Sequence, residues 1–121
     1  MIEEYKFQKL SVYQLAFNYI DQVYSSIAGL PDSERFNLSS QIRRAATSIA
    51  LNIAEGSTGQ SNPEQHRFLG LALRSYLETI ACLDLIDRRL YLDNQQLQPL
   101  RTFGHQLFIK LNAFRKSLTS K

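Results

Sequence analysis

The 121-residue sequence predicts an all-α domain, an antiparallel up-down-up-down four-helix bundle. The first observation is composition: leucine occurs 18 times and alanine nine times, whereas valine occurs twice. Leucine and alanine favour helices, and the β-branched residues that favour strands are scarce. The second observation is that turn-forming residues concentrate in three clusters, at 29–33, at 56–63 and, more weakly, at 92–94. Three breaks leave four segments, and short connections between long helices imply antiparallel neighbours.

The first segment predicts a helix over about residues 12–27. Its apolar residues recur at steps of three and four, which places them on one face of a helix. Ser11 and Gln14 have the spacing of a capping box. Leu10 and Leu15 flank that start as a hydrophobic staple would.

The second segment predicts a helix over about residues 38–55. Asn37 is the expected N-cap, and Gly56 is the expected stop. Alanines on the apolar stripe would let a neighbouring helix approach closely. Leu51 points away from that stripe, beside Arg44, and we expect it at a contact between subunits.

The third and longest segment predicts a helix over about residues 63–91. Asn62 followed by Pro63 matches an N-cap with proline at the first helical position. The main apolar stripe runs as far as Leu90, and Asp87 points toward it. A helix that is apolar on two sides is buried on two sides, so we expect the second side to contact another subunit. The residues on that second side are Leu71, Cys82 and Leu85.

The fourth segment predicts a helix over about residues 94–118. Asp93 and Gln96 repeat the spacing of a capping box. Pro99 lies just inside the helix, where it removes one backbone hydrogen bond.

The whole chain, residues 1–121, is expected to form one domain, because two would each be unusually small. One cysteine cannot form an internal disulfide bond. No apolar run approaches the ~18 residues that a membrane span needs, and the polar N-terminus does not resemble a signal peptide. We therefore expect a soluble, cytoplasmic protein without a membrane partner.

The sequence offers few candidates for catalysis or metal binding. His66 and His105 lie far apart in sequence, and Cys82 has no paired base that would activate it as a nucleophile. The glycine-containing loop 56–60 precedes a helix but lacks the preceding strand and the lysine of a phosphate-binding loop. No Glu-x-x-His pair indicates a di-iron centre. We therefore expect no catalytic residue, no metal, no cofactor and no enzymatic activity.

The basic residues are the most suggestive feature, with a formal net charge of +3. Arginine outnumbers lysine nine to five, and the guanidinium group suits bidentate contacts with phosphate. Solvated surface positions and ion pairs, such as one between Arg74 and Glu78, are an equally open interpretation. The candidate nucleic-acid-binding residues are Arg43, Arg44, Arg67, Arg74, Arg88 and Arg89.

Three blocks of sequence resemble the family of 23S ribosomal RNA intervening-sequence proteins. They cover residues 7–16, 30–56 and 67–78, and the most specific of them runs from Gln41-Ile42-Arg43-Arg44-Ala45-Ala46 to Asn52-Ile53-Ala54-Glu55-Gly56. The resemblance implies a four-helix bundle and a ring-shaped homopentamer. That family is in turn similar to the accessory variability protein (Avd) of diversity-generating retroelements, a basic pentameric barrel that partners a reverse transcriptase and nucleic acid.

Two functional hypotheses follow. The first is a non-catalytic, homo-oligomeric nucleic-acid-binding protein that contacts structured RNA through its arginines. The second is an adaptor for a protein partner, such as a retroelement accessory protein that binds a reverse transcriptase. Reversing the charges of Arg43 and Arg44 separates them, because the first hypothesis requires those charges and the second does not.

Overall fold

The computed structural model describes residues 2–59 and 61–119. In this part of the chain every element of regular secondary structure is a helix, which confirms the predicted all-α, four-helix fold. No helix here is both long enough and apolar enough to cross a membrane. Two short 3-10 helices cover Lys6–Lys9 and Asp32–Glu34. The α-helices are α1 (Ser11–Ile27), α2 (Leu38–Gly56), α3 (Asn62–Arg88) and α4 (Asn94–Ser117).

The core lies between the four helices. Helix α2 packs most extensively against α3, while α1 contacts both α2 and α4. Tyr19 is fully buried, and its hydroxyl lies 2.8 Å from Thr79 Oγ1. Thr79 donates its own hydroxyl proton to the Tyr76 carbonyl at 2.5 Å, so Tyr19 is the donor to Thr79. Burial raises the pKa of Tyr19, which keeps that donor protonated.

Helix α1 begins differently from the predicted capping box. Leu10 is the N-cap residue, no side chain caps the helix, and Ser11 is its first residue. The preceding 3-10 turn explains the change, because it contains a capping box of its own. Gln8 Oε1 accepts a hydrogen bond from the Tyr5 amide at 2.7 Å, and Gln14 donates to the Gln8 carbonyl at 3.2 Å.

The other helix starts follow the predictions more closely. Asn37 occupies the N-cap position of α2, but its side chain accepts no capping hydrogen bond. Ser61, one residue before the predicted cap, accepts a hydrogen bond from the Glu64 amide and caps α3. The Asp93 and Gln96 capping box of α4 is confirmed, with both hydrogen bonds at 2.9 Å. Helix α4 then continues through Pro99.

Helix α3 ends at Arg88, three residues before the predicted end. The amide of Leu90 donates to the Asp87 carbonyl at 2.9 Å, and the amide of Tyr91 donates to the Ile86 carbonyl at 3.1 Å. These two bonds form a Schellman motif with Leu90 in the left-handed region at φ 61°. Leu90 is 85% exposed, so its prediction as part of the apolar stripe was wrong. Asp87 is also exposed, and its predicted orientation toward the stripe was wrong.

Two glycines allow close packing. A β-carbon on Gly56 would lie 2.6 Å from Phe68 Cβ, so glycine lets the end of α2 approach α3. A β-carbon on Gly104 would lie 2.8 Å from Tyr19 Cε1 and 3.0 Å from Tyr76 Cε1. The backbone of α4 therefore packs directly against two tyrosine rings of the core.

Candidate functional site

Arg44 faces a cleft between α2 and α3. This cleft has a volume of about 460 Å³, and Phe36, Ser48 and Glu78 also line it. Arg44 is exposed and forms no ion pair with Glu78. The guanidinium group is therefore available to a ligand. We call this space the α2–α3 cleft.

Arg43 lies on the other side of α2, toward α1. It is half-buried and lines a second concave surface with Tyr24 and Leu51. Arg44 borders this second surface as well. The two adjacent arginines therefore share it, whereas Arg44 without Arg43 lines the α2–α3 cleft.

The two connections, between α1 and α2 and between α3 and α4, meet at one end of the domain. The Tyr91 hydroxyl donates a hydrogen bond to Glu34 Oε2 at 2.8 Å. Glu34 Oε1 accepts from Asn37 Nδ2 at 3.0 Å and from the Leu38 amide at 3.4 Å, so Glu34 caps α2 in place of Asn37. The hydrogen bond from Tyr91 lowers the pKa of Glu34, and the charge of Arg89 adds to that shift.

This contact brings basic residues together from distant parts of the sequence. Arg88 and Arg89 lie at the end of α3, and Arg35 lies in the α1–α2 connection. All three are exposed. Basic and acidic groups are mixed at this end of the domain. The carboxylates there are those of Asp32, Glu34, Asp87 and Asp93.

Arg67 and Arg74 lie elsewhere. Arg67 forms an ion pair with Glu64 at 2.9 Å, and its guanidinium lies over the Phe68 ring at 4.4 Å. Arg74 is exposed on α3, and the predicted ion pair with Glu78 was wrong. Because α3 rises 1.5 Å per residue, Arg67 and Arg88 lie roughly 30 Å apart. The six predicted arginines therefore do not form one patch on a single protomer.

Arg35 and Phe36 were not among the candidate site residues predicted from the sequence. The Arg35 guanidinium lies 5.2 Å from the centre of the Phe36 ring, and Phe36 is 87% exposed. Both stand between Glu34 and the capping position, within the second block of family resemblance. An aromatic residue outside any helical stripe was the available signal.

Arg115 has a structural contact. It is half-buried, and its Nε donates a hydrogen bond to the His66 carbonyl at 3.1 Å. Its guanidinium also covers Gly70, where a β-carbon would lie 2.9 Å from Nη2. Arg115 therefore fastens the end of α4 to α3.

The residues predicted at a subunit contact differ in exposure. Leu51 is 62% exposed and Leu85 is 51% exposed, whereas Leu71 is half-buried. Cys82 is 4% exposed and packs in the core, so it lies inside the protomer and not on a second apolar side. Burial raises the pKa of its thiol, which keeps it protonated.

The exposed apolar surface of α1 and α2 is larger than the sequence analysis indicated. Phe17 and Tyr24 of α1 lie on the same side as Leu51 and are 41% and 45% exposed. We call these three residues the α1–α2 apolar surface. Among the described residues, no group of three or more histidine, cysteine, aspartate or glutamate side chains could hold a metal ion.

Comparison with known proteins adds the family. Residues 8–113 match the family model of the 23S rRNA-intervening sequence protein. A solved structure from Bacteroides thetaiotaomicron VPI-5482, described as a protein of unknown function from the S23 ribosomal protein family, is 25% identical with a TM-score of 0.77. The similarity covers 87% of this chain and 98% of that one. No curated protein matches. Since the family model matches most of the chain, this protein belongs to the 23S rRNA-intervening sequence protein family.

Proposed function

We propose that this protein is a non-catalytic, homo-oligomeric nucleic-acid-binding protein that contacts structured RNA through its arginines. The family description associates its members with inserts in ribosomal RNA, and this supports RNA as the nucleic acid. Contacts of this kind go mainly to phosphates, so they position the RNA without reading its sequence.

One observation carries the proposal. Of the six predicted arginines Arg67 forms an ion pair, and Arg89 acts on Glu34 through its charge. The other four form no ion pair within the described residues. Arginines that served only to neutralise acidic neighbours would be paired. Unpaired guanidinium groups can instead form bidentate hydrogen bonds with phosphate oxygens.

Self-association completes the proposal. In an antiparallel bundle the two connections joined by Tyr91 and Glu34 share one end, and that end carries Arg35, Arg88 and Arg89. The α1–α2 apolar surface and exposed Leu85 offer two different faces for contact between subunits. A ring, which we propose to be pentameric, would repeat each arginine around an axis and enlarge a charge that is modest on one protomer.

A titration of a labelled structured RNA, followed by fluorescence anisotropy from low to physiological salt, tests this function. We expect log affinity to fall linearly with log salt, and the slope reports the number of phosphate contacts. Arg43→Glu with Arg44→Glu should abolish binding. The matched control is Lys110→Glu with Lys116→Glu, an identical charge change at exposed positions of α4. Absence of binding at low salt, or equal loss in both double variants, would contradict the proposal.

A second candidate is an adaptor for a protein partner such as a reverse transcriptase. The α1–α2 apolar surface favours it, because exposed apolar patches commonly mark protein contacts. This function predicts that a partner co-purifies with the Arg43→Glu, Arg44→Glu variant and is lost from a Leu51→Arg variant. The RNA-binding function predicts instead that the arginine changes abolish RNA binding.

A further inference from the structure

We infer that the α2–α3 cleft binds one unpaired nucleotide of the RNA, with its base on the Phe36 ring and its phosphate on Arg44. This inference rests on the proposed RNA-binding function and specifies which part of the RNA the protein holds. Four observations carry it: the exposure of Phe36, the spare hydrogen-bonding capacity of the polar groups around the cleft, the charge of Arg44 without an ion-pair partner, and the placement of Glu78.

Phe36 is positioned like a stacking platform. It is 87% exposed, yet its backbone is fixed at the start of α2, because Glu34 caps the neighbouring Leu38 amide and is itself held by Tyr91. The Arg35 guanidinium lies over the ring at 5.2 Å. Proteins that bind single-stranded nucleic acids use exposed aromatic rings and arginine side chains in this way. Any base can stack on such a ring, because every base has a flat aromatic face.

The polar groups around the cleft have unused hydrogen-bonding capacity. Gln41 donates one proton from Nε2 to Asn37 Oδ1 at 3.0 Å, which leaves its carbonyl oxygen free. Within the described residues, the hydroxyls of Ser40 and Ser48 form no hydrogen bond through their side chains. The cleft volume of about 460 Å³ lies in the range of small-ligand sites. The space can therefore hold a polar group such as a nucleobase and form hydrogen bonds with its edge.

Arg44 and Glu78 supply opposite charges on the same cleft without neutralising each other. Arg44 can bind phosphate in a bidentate manner. The Glu78 carboxylate only accepts hydrogen bonds, so it favours a base edge with adjacent donors. Guanine presents an imino and an amino group side by side, whereas uracil presents one imino group between two carbonyl acceptors. The cleft should therefore prefer guanosine to uridine.

The test uses the full-length protein and three labelled RNAs that share one stem. The first is a blunt duplex, the second is a hairpin with an all-uridine loop, and the third has one guanosine in that loop. We expect the guanosine hairpin to bind tightest and the duplex weakest. Phe36→Ala should weaken binding of the guanosine hairpin roughly tenfold, as loss of one stacked base does, and should change duplex binding by less than about twofold. Ile109→Ala, an exposed apolar residue of α4, is the control and should change neither.

Glu78→Gln provides a second readout that does not depend on stacking. The substitution keeps the shape of the side chain and adds a donor, so the ratio of guanosine-hairpin to uridine-hairpin affinity should fall to about one. A ratio that is unchanged in this variant would overturn the role of Glu78.

The remaining outcomes separate this inference from the function on which it rests. If none of the RNAs binds at low salt, both fail. If duplex and hairpins bind equally and Phe36→Ala changes neither, RNA binding stands and the nucleotide site is overturned. If Phe36→Ala alters the oligomeric mass measured by light scattering, Phe36 belongs to a contact between copies of the chain, and the nucleotide site is again overturned.

Discussion

The Tyr91 hydroxyl donates a 2.8 Å hydrogen bond to Glu34, a residue 57 positions earlier in the chain. The bond ties the connection after α1 to the connection after α3. It also orients the carboxylate that caps α2, and this cap precedes the first turn of the helix that carries Arg43 and Arg44. The same hydrogen bond therefore contributes to the stability of the fold and holds the start of the helix that carries the candidate RNA contacts.

The Glu34 and Tyr91 contact predicts a pH-dependent stability. The pKa of Glu34 is lowered in the folded protein, so its contribution is present above the ordinary pKa of glutamate and is lost as pH falls through the lowered value. Tyr91→Phe should therefore lower Tm at pH 7, and the difference from wild type should shrink below about pH 4. Thermal unfolding at a series of pH values measures this. A difference that stays constant with pH would mean that the tyrosine acts through packing alone.

Leu90 predicts a stabilising substitution. A left-handed residue other than glycine costs roughly 1–2 kcal/mol, and Leu90 is too exposed to recover that cost by packing. Leu90→Gly should raise the free energy of unfolding by about 1 kcal/mol in a urea titration. Arg89→Gly, where the backbone is right-handed, is the matched control and should be destabilising. A loss of stability in Leu90→Gly would refute the Schellman interpretation.

Gly56 predicts a destabilising substitution. Its β-carbon would lie 2.6 Å from Phe68 Cβ, closer than side chains allow, so α2 and α3 would have to separate. Gly56→Ala should lower the free energy of unfolding by about 1–3 kcal/mol. Gly29→Ala serves as the control, because its nearest atoms lie at 3.6 and 3.7 Å. Equal stability of the two variants would show that the helices tolerate the added carbon.

Substitutions of Arg115 and Arg74 should affect different properties. Replacing Arg115 should lower stability, and replacing Arg74 should weaken RNA binding. Arg115→Ala removes the hydrogen bond to the His66 carbonyl and should cost about 1 kcal/mol of stability. Arg74→Ala removes an exposed, unpaired charge, so it should leave Tm unchanged and reduce the salt slope of RNA binding by about one. Thermal unfolding and anisotropy on the same two samples decide between a structural and a phosphate-binding role for each.

Much of the fold follows from local sequence signals. The four helices come from the spacing of apolar residues. The α4 start was predicted because the Asp93 and Gln96 side chains bind each other's backbone amides, which is a local interaction. The α1 start was not, because the preceding turn at Lys6–Lys9 competes for the same residues. The end of α3 was missed because a leucine occupies the position that glycine usually takes.

The candidate site was harder to predict. Arg43 and Arg44 could be selected from sequence, but Phe36 could not be given a role before Glu78 was known to lie across the cleft. Cys82 was assigned to the wrong side because a helical stripe does not reveal how far the neighbouring helices extend around it. Residues from different helices form a site only through packing, and one sequence does not specify that packing residue by residue.

The close approach at Gly56 has a consequence for the cleft that Gly56 never touches. Gly56 lies twelve residues from Arg44, roughly 18 Å along the same helix. A side chain at this point would act as a wedge at one end of the α2–α3 pair and tilt the two axes. The separation would be largest at the contact with Phe68 and would decrease along the helices toward Arg44 and Glu78. A glycine that contacts no ligand can thus influence the angle between α2 and α3, and with it the orientation of the two walls of the cleft.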